Sequence, residues 1–335
     1  MMWKKIYEID DVKSTLNFFN NYLAYLDRER HLILRSLDGY AIEHRLEYGD
    51  DGLIFIFDNQ LYVRKAYELL KLDNSQLISH FRSDSKTVYP QSSNLVEVYS
   101  TANDGSKVLE MYDVRASKCL WERGLTKSFR SSFSSSDGYF IVGLSWHTLH
   151  RVDMLTGETI WKKEFPADQE LENCPLFVKE DMVIVHNEGG YVRGLDLETG
   201  RLQWELDNCH SFHTPHAETG HLHGVSTIRK ETYEVIDPIR GERIVDAGIS
   251  DVLKTNNLST IICHMHSLTP DSLYFKVRSF KNRNINFGKI DLESKMIEYI
   301  ETLEGDDHSL SKPIYHEGRL YFIQDNHLLR VFEQE

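Results

Sequence analysis

Two stretches of this chain, RVDMLTGETIW ending at Trp161 and GLDLETGRLQW ending at Trp204, carry one pattern: an apolar residue, Asp, two residues, Thr-Gly, three residues, Trp. Asp153, Thr156, Gly157 and Trp161 answer to Asp196, Thr199, Gly200 and Trp204, 43 residues on. Weaker copies extend both ways. Asp113 and Trp121 stand 40 residues before Asp153 and Trp161, and Asp237 and Gly241 stand 41 residues after Asp196 and Gly200. Asp291 follows, with Ser294 and Lys295 in place of Thr and Gly, and Asp38-Gly39 forms a shortened copy near the start. Self-similarity at this period constrains the fold more than any other feature, because each copy must be the same supersecondary unit.

The motif is structural in its chemistry. Two short apolar runs flank a tight turn and so make a hairpin. The Asp carboxylate accepts backbone N–H groups inside the turn, and the Gly takes a left-handed conformation that a Cβ would penalise. The Trp on the second strand offers a broad apolar face to a neighbouring sheet. Another strand pair precedes each motif, as in CPLFVKE and MVIVHNE before YVRGLDL, so a repeat holds four strands, like a propeller blade.

Candidate third strands are HLILRSL, QLYVRKA, VLEMYDV, TLHRVDM, YVRGLDL, TYEVIDP, NFGKIDL and HLLRVFE. The expectation is an all-β chain, one propeller domain over residues 1–335 with eight four-stranded blades. If the segment from Gln60 to Ala66 is not a blade, there are seven. The last copy stops before its fourth strand, and the N-terminal WKKIYEI, with Trp3, has the length and period to supply it.

The Asp-x-x-Thr-Gly-x-x-x-Trp pattern of Asp153–Trp161 and Asp196–Trp204 resembles the repeat of the pyrroloquinoline-quinone (PQQ) dehydrogenase-like propellers. That superfamily holds quinone-dependent alcohol dehydrogenases and also non-catalytic members that bind proteins without a cofactor. The enzymes are secreted and use a calcium or lanthanide ion, often with an adjacent disulfide-bonded cysteine pair. Here Cys119, Cys174, Cys209 and Cys263 lie far apart, and no motif carries metal ligands or a catalytic Asp onto numbered positions. The resemblance therefore points to the non-catalytic branch, with no cofactor.

Charge narrows the partner. With 38 Lys and Arg against 52 Asp and Glu, the net charge is -14, which repels nucleic-acid phosphates and favours a basic protein. The N-terminal Lys4 and Lys5 are followed by no apolar signal core, and no stretch is long and apolar enough to span a membrane. Scattered cysteines fit reduced thiols, so the expected setting is the cytoplasm, as a monomer. G-x-x-x-x-G-K, G-x-G-x-x-G and HExxH do not occur, and the Ser-rich 130–138 segment has no nucleophile elbow around it.

Two residue groups are candidates for function. Histidines cluster between His210 and His223, and a second HxH pair follows at His264 and His266. Side chains two apart on a strand point the same way, so His221, His223, His264 and His266 form a candidate transition-metal or pH-sensing set. The other group is acidic. The loops from a blade's fourth strand to the next blade's first strand hold Asp50, Asp51, Asp168, Glu170, Glu172, Asp207, Asp251, Asp306 and Asp307, interrupted after the third blade by Lys127 and Arg130. In that register these charges share one rim. The leading expectation is a non-enzymatic protein-binding propeller, either an immunity protein neutralising a toxin or an adaptor or scaffold. The alternative is a channel-centred enzyme or a metal or pH sensor built on the histidines.

Overall fold

The computed structural model describes the chain except for residues 1–2, 14–15, 49–51, 58, 84–86, 103, 126–131, 135–137, 172–176, 188, 210–211, 217, 227–231, 256–257, 280–284, 303–312, 324–326 and 335. The fold is an eight-bladed β-propeller of four-stranded antiparallel blades, with one short helix, Ser250–Thr255, among the described residues. Two compact units divide the chain. Residues 12–175 hold blades 1 to 4, at 17–47, 52–82, 87–125 and 132–164. Residues 1–11 and 176–335 hold blades 5 to 8, at 177–206, 212–248, 258–302 and 314–334, the last joined by Trp3–Ile9.

Burial explains which residues form which strand. Second and third strands are mostly buried, most completely in Tyr139–Ser145, where every residue but the last is buried. Fourth strands are half exposed and alternate, as in Glu242–Gly248. Cores form between blades as well as within them. Phe19, Ala24, Leu32 and Leu34 of blade 1 pack in one cluster with Ile54, Leu61 and Val63 of blade 2.

The repeated Asp does what its position predicts in five blades. Asp113, Asp153, Asp196, Asp237 and Asp291 each accept a backbone N–H from two or three residues on, at 2.7–2.9 Å for the shortest bond. These bonds hold the Asp153, Asp196 and Asp291 carboxyls below the usual carboxylate range, with the Thr156, Thr199 and Ser294 groups as the largest causes. The fifth turn residue is left-handed throughout: Ser117, Gly157, Gly200, Gly241 and Lys295 have φ between 49° and 71°.

The Gly and the Trp of the motif interlock from blade to blade. Trp121 of blade 3 lies over Gly157 of blade 4 and donates its indole N–H to the Met154 carbonyl at 2.8 Å. Trp204 of blade 5 repeats this over Gly241 of blade 6, donating to the Pro238 carbonyl at 3.0 Å. A Cβ on either glycine would overlap the indole. Glycine is thus required twice, by the left-handed turn and by the tryptophan.

A one-residue β-bulge sets the register of that aromatic position. In blade 4, Trp161 faces Arg151 and Thr159 faces Val152, which leaves Ile160 as the extra residue. The third and fourth strands of every blade show the same shift. The position after the bulge is His44, Phe81, Trp121, Trp161, Trp204, Val245, Tyr299 and Tyr7 in blades 1 to 8.

Three details differ from the sequence reading. Blade 2 exists, so there are eight blades, but Gln60–Lys65 is its second strand and Glu68–Asp73 its third. Its outer hairpin closes through Asn74 and Ser75, both left-handed (φ 45° and 64°), so no Asp-x-x-Thr-Gly turn marks it. In blade 1 the turn is full length: Ser36 stands at the Asp position and Tyr40, not Gly39, is left-handed, with its N–H on the Ser36 carbonyl at 2.9 Å. The N-terminal strand does complete blade 8 by pairing with Leu329–Gln334, but the register puts Tyr7 at the aromatic position and Trp3 at the strand's start.

Candidate protein-binding loops and the histidine cluster

The structure puts each described acidic candidate in the expected class of loop, between a fourth strand and the next first strand. Asp168 and Glu170 follow blade 4, Asp207 follows blade 5, and Asp251 lies in the short helix after blade 6. Asp50, Asp51, Glu172, Asp306 and Asp307 lie outside the described residues, as do Lys127 and Arg130.

The loop after blade 4 is the most defined. Phe165 and Leu171 are buried and anchor its ends, donating backbone N–H bonds to the carbonyls of His147 (2.8 Å) and Trp146 (2.7 Å). Between them a turn from Pro166 to Gln169 lifts Asp168 into solvent. Glu170 approaches the His147 ring at 3.8 Å. Trp146 is 39% exposed in the adjoining turn between the second and third strands. An exposed indole is one of the side chains enriched in binding hot spots. The sequence reading passed over Trp146. The available signal was arithmetic: of five tryptophans, it is the one in the body of the repeats that does not occupy the motif position.

Asp207 is exposed, and its carbonyl takes an N–H of Arg243 at 2.7 Å, which fixes the loop after blade 5 from blade 6. The same guanidinium group reaches the Cys209 sulfur at 3.2 Å. Burial pushes the Cys209 thiol up to about 11, so it is a packed, unreactive group. Asp251 is exposed in a helix held by buried Leu253.

His216 and His223 make structural hydrogen bonds, one from blade 6 to blade 7 and one within blade 6. His216 accepts the Thr219 N–H on Nδ1 at 3.2 Å, so Nε2 carries the proton and donates it to the Pro270 carbonyl at 2.9 Å. His223 shares a 2.8 Å hydrogen bond with the buried Tyr233 hydroxyl, and burial, reinforced by His216 and His221, brings its pKa down to about 3. His221 is half-buried just before the strand Leu222–Ser226 that holds His223. His264 and His266 sit in the strand Leu258–Leu268, and their side chains lie outside the described set. Among the described residues, no third ligating group gathers with His221 and His223. Among the described residues the one compact triad is Asp27, Glu29 and His31 in blade 1, where Arg45 already contacts both carboxylates and Asp27 accepts the His31 backbone N–H at 2.8 Å. It is a cross-strand ion network.

A protein-family model described as outer membrane protein assembly factor BamB matches residues 105–332. The chain belongs to this family. The match spans the five repeated Asp-capped turns of this BamB-family chain, from Asp113 to Asp291, and leaves out blades 1 and 2, whose outer turns are built from Ser36 and from Asn74-Ser75. It bears out the PQQ-like repeat resemblance. BamB from Moraxella catarrhalis superposes with a TM-score of 0.66 at 13% identity, covering 99% of this chain and 100% of that one. The computationally designed Ika8 protein gives 0.67 at 12% identity over 98% of each chain. The C-terminal WD40 domain of Sif2 gives 0.69 at 10% identity, covering 100% and 99%. At these identities the BamB-family chain shares the fold with all three. No curated protein matches its sequence.

Proposed function

We propose that this propeller is a non-enzymatic adaptor or scaffold that binds a basic segment of another protein through the loops linking each fourth strand to the next first strand. The observation that carries the reading is the blade 4 loop. There Asp168 and Glu170 stand on a turn pinned at both ends beside exposed Trp146. Loops of this class hold the four described acidic candidates, Asp168, Glu170, Asp207 and Asp251, in a chain of net charge -14. The repeat aspartates that a quinoprotein reading could take as catalytic are consumed in turn hydrogen bonds. The family's description as an assembly factor favours a scaffold over an immunity protein, which would use the same loops against a basic toxin.

We assign the cytoplasm as its compartment, a reading supported by the free thiols of Cys119 and Cys209. Recovery of the native protein outside the cytoplasm on fractionation would contradict it. The binding reading is tested by affinity capture from the native host. Wild-type protein should retain a basic protein that the Asp168→Lys/Glu170→Lys variant, equally folded by circular dichroism, releases. Equal capture by both overturns this site. Identifying the captured protein separates scaffold from immunity function.

A further inference from the structure

Blades 2 and 3 do not interlock as blades 3 and 4 or blades 5 and 6 do. Phe81 stands at the aromatic position of blade 2 and has no indole N–H to donate. Ser117, left-handed at φ 49°, stands in blade 3 where Gly157 and Gly241 lie under tryptophans. Where the lock is missing, a cleft of about 450 Å3 opens between the outer strand of blade 2 and the hairpin turn of blade 3. That volume lies in the range of ligand-sized clefts.

Its walls have a distinct chemistry. Phe81, Tyr112 and Val114 form an apolar side, with the Phe81 and Tyr112 rings 5.4 Å apart. Ser79, Ser83 and Ser117 add three hydroxyls, and Arg82 adds an exposed guanidinium that forms no ion pair among the described residues. No described lining residue is a carboxylate, in a chain with 52 of them. His80, the bulge residue, packs against Tyr62 at 5.2 Å, and burial lowers its pKa, so Arg82 carries the positive charge. The strand Gln76–Arg82 is an outer edge that pairs on one side only, with Glu68–Asp73, and an edge of this kind accepts an extended chain.

We infer that this cleft docks an extended peptide segment of a partner protein that presents a side-chain oxyanion, carboxylate or phosphate, next to an apolar residue. Arg82 and the serine hydroxyls take the oxyanion, and Phe81, Tyr112 and Val114 take the apolar neighbour. The site has the opposite charge preference to the acidic loops and stands independently of them.

The test is fluorescence polarisation on the full chain, with fluorescein-labelled peptides blocked at both ends. One has a Leu-Asp-Leu core, and the others replace Asp with phosphoserine, Asn or Lys. The Asp or phosphoserine peptide should bind about two- to fivefold more tightly than the Asn and Lys peptides, the range of an exposed ion pair. Which of the two anionic peptides binds tighter distinguishes carboxylate from phosphate as the source. Arg82→Glu and Arg82→Gln should each remove that preference. A Phe81→Trp/Ser117→Gly double variant restores the lock found in blades 3 and 5, and should raise Tm while losing binding. Equal affinity for charged and neutral peptides, no saturable binding of either anionic peptide in the millimolar range, or full binding by the locked variant would overturn the assignment.

Discussion

At the scale of residues, the repeat is a set of interlocked demands. Gly241 must be left-handed and must also leave room for Trp204, while Trp204 must reach the Pro238 carbonyl. Gly241→Ala should therefore destabilise by about 2–4 kcal/mol, combining left-handed strain with overpacking. In a Trp204→Ala background the same substitution should cost only about 1 kcal/mol of backbone strain. A double-mutant cycle from urea denaturation checks the coupling, and additive costs would refute the interlock. Glu97 gives a pH prediction. It is enclosed in blade 3, where burial raises its pKa from 4.5 to about 7, against the lowering effect of hydrogen bonds from Tyr99 and Gln91. The folded state holds this proton more tightly than the unfolded chain does. Its contribution is complete below pH 4.5 and is lost as pH rises through about 7. Glu97→Gln should remove that decline, seen as a smaller fall in Tm between pH 4.5 and 7 than in the wild type. His186 acts in the opposite direction. Burial lowers its pKa from 6.5 to about 3, so its contribution is present above pH 6.5 and fades as pH falls toward 3.

At the scale of elements, legibility followed the chemistry of the turn. Blades 3 to 7 announced themselves because Asp113, Asp153, Asp196, Asp237 and Asp291 cap five-residue turns in which few other side chains satisfy the backbone. Blade 2 was one strand out of register because a two-residue turn needs only left-handed residues, here Asn74 and Ser75, and leaves no Asp or Gly as a marker. Tyr7 was missed for Trp3 because the bulge between Lys5 and Tyr7 is invisible to a period-two pattern. Of the candidate site, the loop positions of Asp168, Glu170, Asp207 and Asp251 were readable from spacing alone. Trp146 was not, since exposure depends on how the loop from Phe165 to Leu171 folds back beside it. The N-terminal strand carries its own prediction. Deleting residues 1–9 strips the edge from Leu329–Gln334, exposing backbone donors and acceptors beside apolar Val331 and Phe332. The truncated chain should unfold at a lower temperature and aggregate at concentrations where the full chain does not, as light scattering would show. An unchanged melting curve would mean that blade 8 does not need its fourth strand.

At the scale of the whole molecule, the fold repeats one hairpin economically while its loops diverge. If the partner is basic, as proposed, a net charge of -14 should speed encounter with it, and that rate should fall as salt screens it. Family membership establishes the architecture, and the proposed contact point on it is the loop of Asp168 and Glu170 next to exposed Trp146. The most direct test is site-specific photocrosslinking in the native host, with a photoreactive residue placed in turn at positions 146, 168 and 160. Position 160 is the exposed bulge residue on the outer strand of the same blade. A basic protein crosslinked from positions 146 and 168, but not from 160, is the predicted result. Crosslinks from 160 alone, or none from 146 and 168, would contradict binding through these loops.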